Sequence, residues 1–415
     1  MLMRNWIMTS ASIVCAAFVL AGAPPASIAT AGEVETDMSQ GAVTFRSGDN
    51  SLTLGGDIWI RWTGDDKEKF DTDTSGSGVG KADGFSNSFS IPRVRPYIQG
   101  TMWRPWLRYR FEFELSSTSG EGSSKIKDGY LEVTRFPLLD VKAGQFKAPF
   151  SLQELTSPTR LEFVDTAITN LKYAVGRDVG VMLGGLTGKK RFGYSVGVFN
   201  GGGESRRQED QGLLYVGRIW LDPLGEYKLS ESPVDNPDTT ILHAGLAART
   251  GEAIRGTATP GVFQNPDNET AYNLEMAWRY RRLFATGEYF RMVDAQKNPV
   301  QGPDIISTGW HAQLGAMVLA RVWEIALRYA EIDPDRGMMH DKLSEARIAT
   351  TYFWRGHNLK LMFDAGEIRY GSSFGSLPAL AVRDLPSLAA PLGSRLGGPR
   401  RYTDWQYRMQ FQLAF

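Results

Sequence analysis

From Asp404 to Leu413 the chain alternates without a slip, and the final Phe415 keeps the phase. Trp405, Tyr407, Met409, Phe411, Leu413 and Phe415 fall on one side, and Asp404, Gln406, Arg408, Gln410 and Gln412 on the other. A period of two marks a β-strand with unlike faces, because successive side chains point to opposite sides of the sheet. A soluble sandwich can show such a strand once. Here it runs for at least the roughly ten residues that a tilted strand needs to cross an outer membrane, and its apolar side is bulky throughout.

The pattern recurs upstream. Leu107, Tyr109, Phe111, Phe113 and Leu115 alternate with Arg108, Arg110, Glu112 and Glu114. Leu274, Met276, Trp278 and Tyr280 alternate with Asn273, Glu275 and Arg279, and Ile325, Leu327 and Tyr329 with Glu324 and Arg328. Near the start, Leu52, Leu54, Ile58 and Ile60 alternate with Thr53, Asp57 and Arg61. Alternation alone fits a soluble β-protein with its apolar side inward. It equally fits a membrane barrel, whose apolar residues face lipid and whose charged residues face a wet lumen.

Loop lengths separate the two. Strands are expected near 51–63, 89–103, 106–116, 126–135, 139–148, 177–186, 191–200, 212–221, 241–250, 270–281, 283–292, 306–319, 322–331, 345–354, 358–370 and 402–415, sixteen in all. Their connections are long and short in turn: 65–88 then 104–105, and 292–305 then 320–321. That is the rhythm of external loops on one rim and periplasmic turns on the other, and an even count brings both chain ends to one side. The connection 222–240 breaks the rhythm, being long where a short one is expected. Trp59, Trp62, Trp103, Trp106, Trp310, Tyr352, Phe353, Trp354, Tyr402 and Trp405 cluster near strand ends, as interfacial girdles would. The expected fold is therefore all-β: a transmembrane, antiparallel, up-and-down β-barrel of about sixteen strands over 51–415, preceded by a short periplasmic segment, 32–50.

Residues 1–31 read as a cleaved signal peptide. Arg4 gives a positive start, 7–23 is apolar but too short for a confident span, and Ala29-Thr30-Ala31 fits a small-x-small cleavage site. Cys15, the only cysteine, lies inside that segment, so the mature chain is expected to have no disulfide, thiol nucleophile or cysteine metal site. Lysine plus arginine and aspartate plus glutamate both number 46, and this balance gives no support for nucleic-acid binding. His243, His311, His340 and His357 show no metal-ligand spacing, and no cofactor is implied.

Several segments together resemble the phosphate/polyphosphate-selective porin (porin O/P) family of Gram-negative outer membranes. They are RVRPYIQG at 93–100, IKDGYLE at 126–132, GQFKAPFS at 144–151, GRDVG at 176–180, GYSVGVFNG at 193–201 and WEIALRY at 323–329. The second octapeptide, GQFKAPFS, is the most specific. The resemblance implies a sixteen-stranded barrel in the outer membrane, a homotrimer, and a third external loop (149–176) folded inward to narrow the pore. It also implies passage of small anions, with phosphate or polyphosphate as the sharper expectation. Lipid and lipopolysaccharide would surround the barrel. The strand ending in Phe415 resembles the C-terminal signal read by the barrel assembly machinery.

By alternation, Arg61, Arg93, Arg95, Arg108, Arg110, Lys142, Arg279 and Arg328 should face the lumen. Clustered guanidinium donors along one wet path would favour anions, since they match oxyanion geometry and low-dielectric walls strengthen their field. The expected constriction loop carries or adjoins Arg160, Lys172 and Arg177, with Glu154, Glu162 and Asp165. Inward Asp57, Glu112, Glu114, Asp128, Glu275 and Glu324 could pair with the bases, and an acidic loop opposite a basic wall would equally suit a general diffusion porin. An envelope-structural role with an incidental pore is a third reading. Gly193-Tyr-Ser195-Val-Gly197 and Gly371-Ser-Ser373-Phe-Gly375 match the pattern of a hydrolase nucleophile elbow, but neither sits in the strand–turn–helix context that motif needs.

Overall fold

A strand that faces lipid on one side must satisfy every backbone N–H and C=O within the sheet, and closure is the arrangement that leaves no edge. In the computed structural model, sixteen long antiparallel strands pair in chain order and do close. They are β1 Asn50–Lys67, β2 Phe85–Met102, β3 Arg104–Glu114, β4 Lys125–Phe136, β5 Leu139–Lys147, β6 Arg177–Leu186, β7 Phe192–Phe199 and β8 Leu214–Leu221. The second half comprises β9 Ile241–Ala253, β10 Asp267–Tyr280, β11 Leu283–Ala295, β12 Ile305–Leu319, β13 Trp323–Asp333, β14 Leu343–Arg355, β15 Leu359–Tyr370 and β16 Tyr402–Ala414. The seam is the β16–β1 ladder, which runs from Asp404 opposite Lys67 to Ala414 opposite Asp57. Beyond it Phe415 and Gly56 exchange two backbone bonds, at 2.7 and 2.8 Å.

The structure describes residues 34–38, 41–67, 69–72, 79–82, 84–116, 125–205, 212–235, 237–253, 267–295, 304–377, 385 and 401–415. The expected signal peptide, 1–31, lies outside them. All sixteen expected strands are present, and the largest boundary differences, four residues, are at Lys67 and Phe85. Two features lack alternation strong enough to read from sequence. A short strand, Val43–Ser47, pairs with the start of β1, and a hairpin of Lys69–Thr72 with Val79–Ala82 lies in the first external loop.

The outer face is apolar: Ile60, Leu246, Leu274, Leu314, Leu327 and Ile348 are all exposed. Outward aromatics form two bands. Tyr289, Trp310, Tyr329 and Trp405 lie toward the external loops; Trp323, Tyr352, Trp354 and Phe411 lie toward the periplasmic turns. Trp59, Phe353 and Tyr402, expected in such girdles, instead face inward and are buried at 3%, 3% and 4% exposure. Their parity on β1, β14 and β16 places them among the charged residues, not the apolar ones.

The candidate pore and its constriction loop

The segment 148–176 leaves β5 and turns into the barrel, and GQFKAPFS is its launching point. Gly144 has φ +131°, and a Cβ there would lie 2.2 Å from the Gly129 carbonyl oxygen, so only glycine lets β5 press against β4. Gln145 donates to the carbonyls of Ile126 and Lys127 at 2.6 and 2.9 Å. Phe146 packs edge-on against Phe199 with ring centroids 5.4 Å apart. Lys147 donates to the carbonyls of Thr156 (3.1 Å) and Glu154. Ser151 caps the short helix α1, Leu152–Leu155, by accepting the Glu154 N–H at 3.2 Å.

A loop inside a barrel carries backbone N–H groups that need acceptors, and carboxylates of the far wall supply them. Glu288 of β11 accepts from the Leu152 and Gln153 N–H groups at 2.9 and 2.8 Å, at the start of α1. Asp364 of β15 accepts from Val164 at 2.9 Å, and Glu345 of β14 from Ile168 at 3.0 Å, at the start of the second helix, α2, Ile168–Tyr173. The wall cations take the loop's acceptors in turn. Arg61 and Arg408 grip the Asp165 carboxylate, Arg328 donates to the Asp165 carbonyl at 2.9 Å, and Lys360 to the Leu161 carbonyl at 2.8 Å. Tyr173 stacks on Phe290 at 5.0 Å. Burial raises the Asp165 carboxyl, but Arg61 and Arg408 outweigh it and hold it well below the usual carboxylate range, although 45% of the side chain remains exposed.

The irregular connection 222–240 explains itself here. It turns up into the lumen from the periplasmic end and meets the constriction loop from below. Glu231 accepts from the Glu162 N–H at 3.1 Å and from the Gln153 side chain at 2.8 Å, while its own N–H donates to the Arg160 carbonyl at 3.1 Å. Arg279 lies over the Tyr227 ring at 4.5 Å and donates to the Lys228 carbonyl at 2.5 Å. Burial pushes the Glu162 carboxyl well above its ordinary range, and Glu324 and Glu231 push it further.

The other half of the barrel is open. A cavity of about 880 Å³ lies between the loop and the wall formed by β1–β8, and reaches the turn around His357. Nine lysines and arginines line it (Arg93, Arg95, Arg110, Lys142, Lys147, Arg160, Arg177, Arg218 and Arg355) against three side-chain carboxylates, Asp57, Glu112 and Asp128. The even charge balance of the whole chain thus hides a local excess of base over acid along this wall. Glu288, Glu345 and Asp364 of the far wall are turned to the loop, Glu275 is turned to Arg218, and the bases of the near wall border the cavity. Six of these bases are paired: Arg177 with Asp128 at 2.7 Å, Arg93 with Asp57 at 3.7 Å, Arg95 with Glu114 at 2.6 Å, Arg110 with Asp128 at 3.3 Å, Lys142 with Glu132 at 3.0 Å, and Arg218 with Glu275 at 2.8 Å.

Among the cations expected to line the path, Arg93, Arg95, Arg110 and Lys142 border this cavity, as do Arg160 and Arg177 of the loop set. Arg61, Arg279 and Arg328 face inward but hold folded-in segments. Arg108 is exposed near the β2–β3 turn, outside the cavity lining. Lys172 is fully buried in α2. Glu154, Glu162 and Asp165 all lie off the cavity: Glu154 accepts from the Asn170 side chain at 2.9 Å, and the other two are held as described. Lys147 and Arg218 were not singled out from sequence. Lys147 lies in the most specific motif, and Arg218 has the right parity on β8, between Val216 and Trp220.

A closed lipid-facing barrel with an inward loop and a charged internal path defines an outer-membrane porin. The profile of the phosphate-selective porin O and P family matches residues 66–373, and the chain belongs to that family. Its fold is similar to that of an anion-selective porin from Comamonas acidovorans, at 14% identity and TM-score 0.55, covering 88% of this chain and 100% of that one. It is also similar to the outer-membrane channel DcaP of Acinetobacter baumannii, at 12% identity and TM-score 0.54, covering 89% and 99%. Pseudomonas putida OprB matches at 10% identity and TM-score 0.56, covering 88% and 94%. No curated protein matches the sequence.

Proposed function

We propose that the protein is a passive channel selective for small anions, with the β1–β8 side of the lumen as the conducting path. The carrying observation is the cavity lining, nine cationic side chains to three side-chain carboxylates. Arg93, Arg95, Arg110, Lys142, Arg160 and Arg177 are its anion-path residues in this reading. A general diffusion porin would set an acidic loop across an open eyelet from a basic wall. Here Glu162 and Asp165 are engaged away from the cavity, Glu154 is held by Asn170 and faces the charges of Lys147 and Arg177, and Arg160 borders the cavity, so the loop sets no unpaired acid across from the basic wall. Inorganic phosphate is a candidate solute on the strength of the family, and assembly as a homotrimer on the strength of the resemblance.

No catalysis is part of the proposal. Ser195 lies within β7, and Ser373 meets His340 only through a backbone bond. Among the described residues neither hydroxyl is bonded to a histidine. The test is the reversal potential of the reconstituted protein in a planar bilayer under a salt gradient. Anion preference is expected, and Arg93→Glu should lower it. A cation-selective wild-type pore would sink the proposal.

A further inference from the structure

A barrel interior that carries water is ordinarily polar. This one carries aromatic rings on its conducting side, and each lies under a cation. The Arg93 guanidinium sits 3.8 Å from the Trp59 ring centroid and Arg110 4.5 Å from Tyr97. Lys142 sits 4.4 Å from Tyr130, and Arg218 4.5 Å from Trp220. Stacking holds the charged heads in place against the rings, and neighbouring acceptors hold them too: Arg110 donates to Asp128 at 3.3 Å and to Gln99, Arg218 donates to Glu275 at 2.8 Å, and Lys142 meets Glu132 at 3.0 Å. Holding the cations does not use up the rings, because Tyr97, Tyr130, Phe146 and Trp220 also border the cavity themselves.

Trp220 is seated deliberately. Its ladder partner is Gly193, and a Cβ on Gly193 would lie 2.1 Å from the indole ring. The ring therefore covers Gly193 of β7, with the Arg218 guanidinium over it and the rest of the half-buried indole bordering the cavity.

We propose that this cavity is a binding site for organic anions with a planar, apolar body, benzoate being the minimal example. The proposal rests on the anion-channel reading and names its solute class. A bare inorganic anion gains from the cations but has no surface to lay on the rings. An aromatic carboxylate gains from both, and the cavity, about 880 Å³, is in the range of small-molecule sites.

The test compares acetate with benzoate, which share a carboxylate and a charge and differ in the ring. Chloride current through the reconstituted wild-type protein would be titrated with sodium acetate, sodium benzoate and inorganic phosphate. Half-block by benzoate is expected at about tenfold lower concentration than by acetate, the gain that burying one ring face supplies. Trp220→Leu should shrink that ratio. Equal block by acetate and benzoate in an anion-selective pore would overturn the proposal and leave the channel reading standing. So would phosphate blocking more strongly than benzoate. A cation-selective pore would remove the channel reading, and this site with it.

Discussion

Arg61 of β1 holds Asp165 of the constriction loop with both terminal nitrogens, at 3.0 and 2.9 Å from the two carboxylate oxygens. The fork is completed by Arg408 of β16, 2.7 Å from the same carboxylate. Two strands on either side of the barrel seam are thereby tied to one loop side chain. Asp165→Asn breaks both ties, whereas Arg61→Gln breaks one. Asp165→Asn should loosen the loop by about 1–3 kcal/mol, the range for losing charge-assisted bonds, and Arg61→Gln by less. Open-channel current noise reads this: it should rise most in Asp165→Asn, and unchanged noise would show that the loop is held without this pair.

Glu162 sits in the opposite situation. Burial, then Glu324 and Glu231, push its carboxyl up, against the opposing charge of Lys360. For an acid whose folded pKa is raised, the folded state binds the proton more tightly than the unfolded state. Its stability contribution is present below the ordinary carboxylate pKa, about 4.3, and is lost as pH rises and the unfolded chain ionises first. Glu162→Gln removes that titration. Urea unfolding midpoints of the vesicle-folded protein should coincide for the two proteins near pH 4. At pH 7 the variant should be more stable by on the order of 1–3 kcal/mol. A variant less stable at pH 7 would mean that the ionised carboxylate is held favourably.

Gly144 tests the launching point of the loop. A methyl group there meets the Gly129 carbonyl at 2.2 Å and the Tyr130 Cα at 2.7 Å, on a backbone already at φ +131°. Gly144→Ala should be destabilising by more than about 3 kcal/mol, through strain and overpacking together. The yield of folded, heat-modifiable barrel on an unboiled gel measures it, and a near-normal yield would show that β4 and β5 can part.

The barrel was legible because its signal is repeated. Lipid demands apolar residues at every second position of sixteen strands, so local errors average out and boundaries fall within four residues. The lumen was legible only as far as parity goes. Parity places Arg61 and Arg93 on the same inner face, yet one holds the loop and the other borders the cavity, a difference set by where 148–176 lands. That landing depends on partners 200 positions away in sequence, as with Val164 and Asp364. Trp59 misled for a related reason: its aromatic character suggested an interface, whereas its parity and its contact with Arg93 put it inside. The over-long connection 222–240 did carry a signal. A periplasmic turn of that length has to go somewhere, and the lumen was the space available.

The division of the lumen predicts that charge removal has two distinct outcomes. Arg110 borders the cavity over Tyr97, so Arg110→Gln removes a positive charge from the path itself. The reversal potential should move toward zero, and more so at low ionic strength, where the wall field reaches further than the roughly 10 Å Debye length at 0.1 M. Arg279 is fully buried beneath the 222–240 segment, where it donates to the Lys228 carbonyl and covers Tyr227. Arg279→Gln deletes the same charge from the sealed side. It should leave the reversal potential in place while loosening the segment, raising conductance or its fluctuation. If both variants shifted selectivity equally, the field would be that of the whole barrel, and the two halves of the lumen would not be electrically separate.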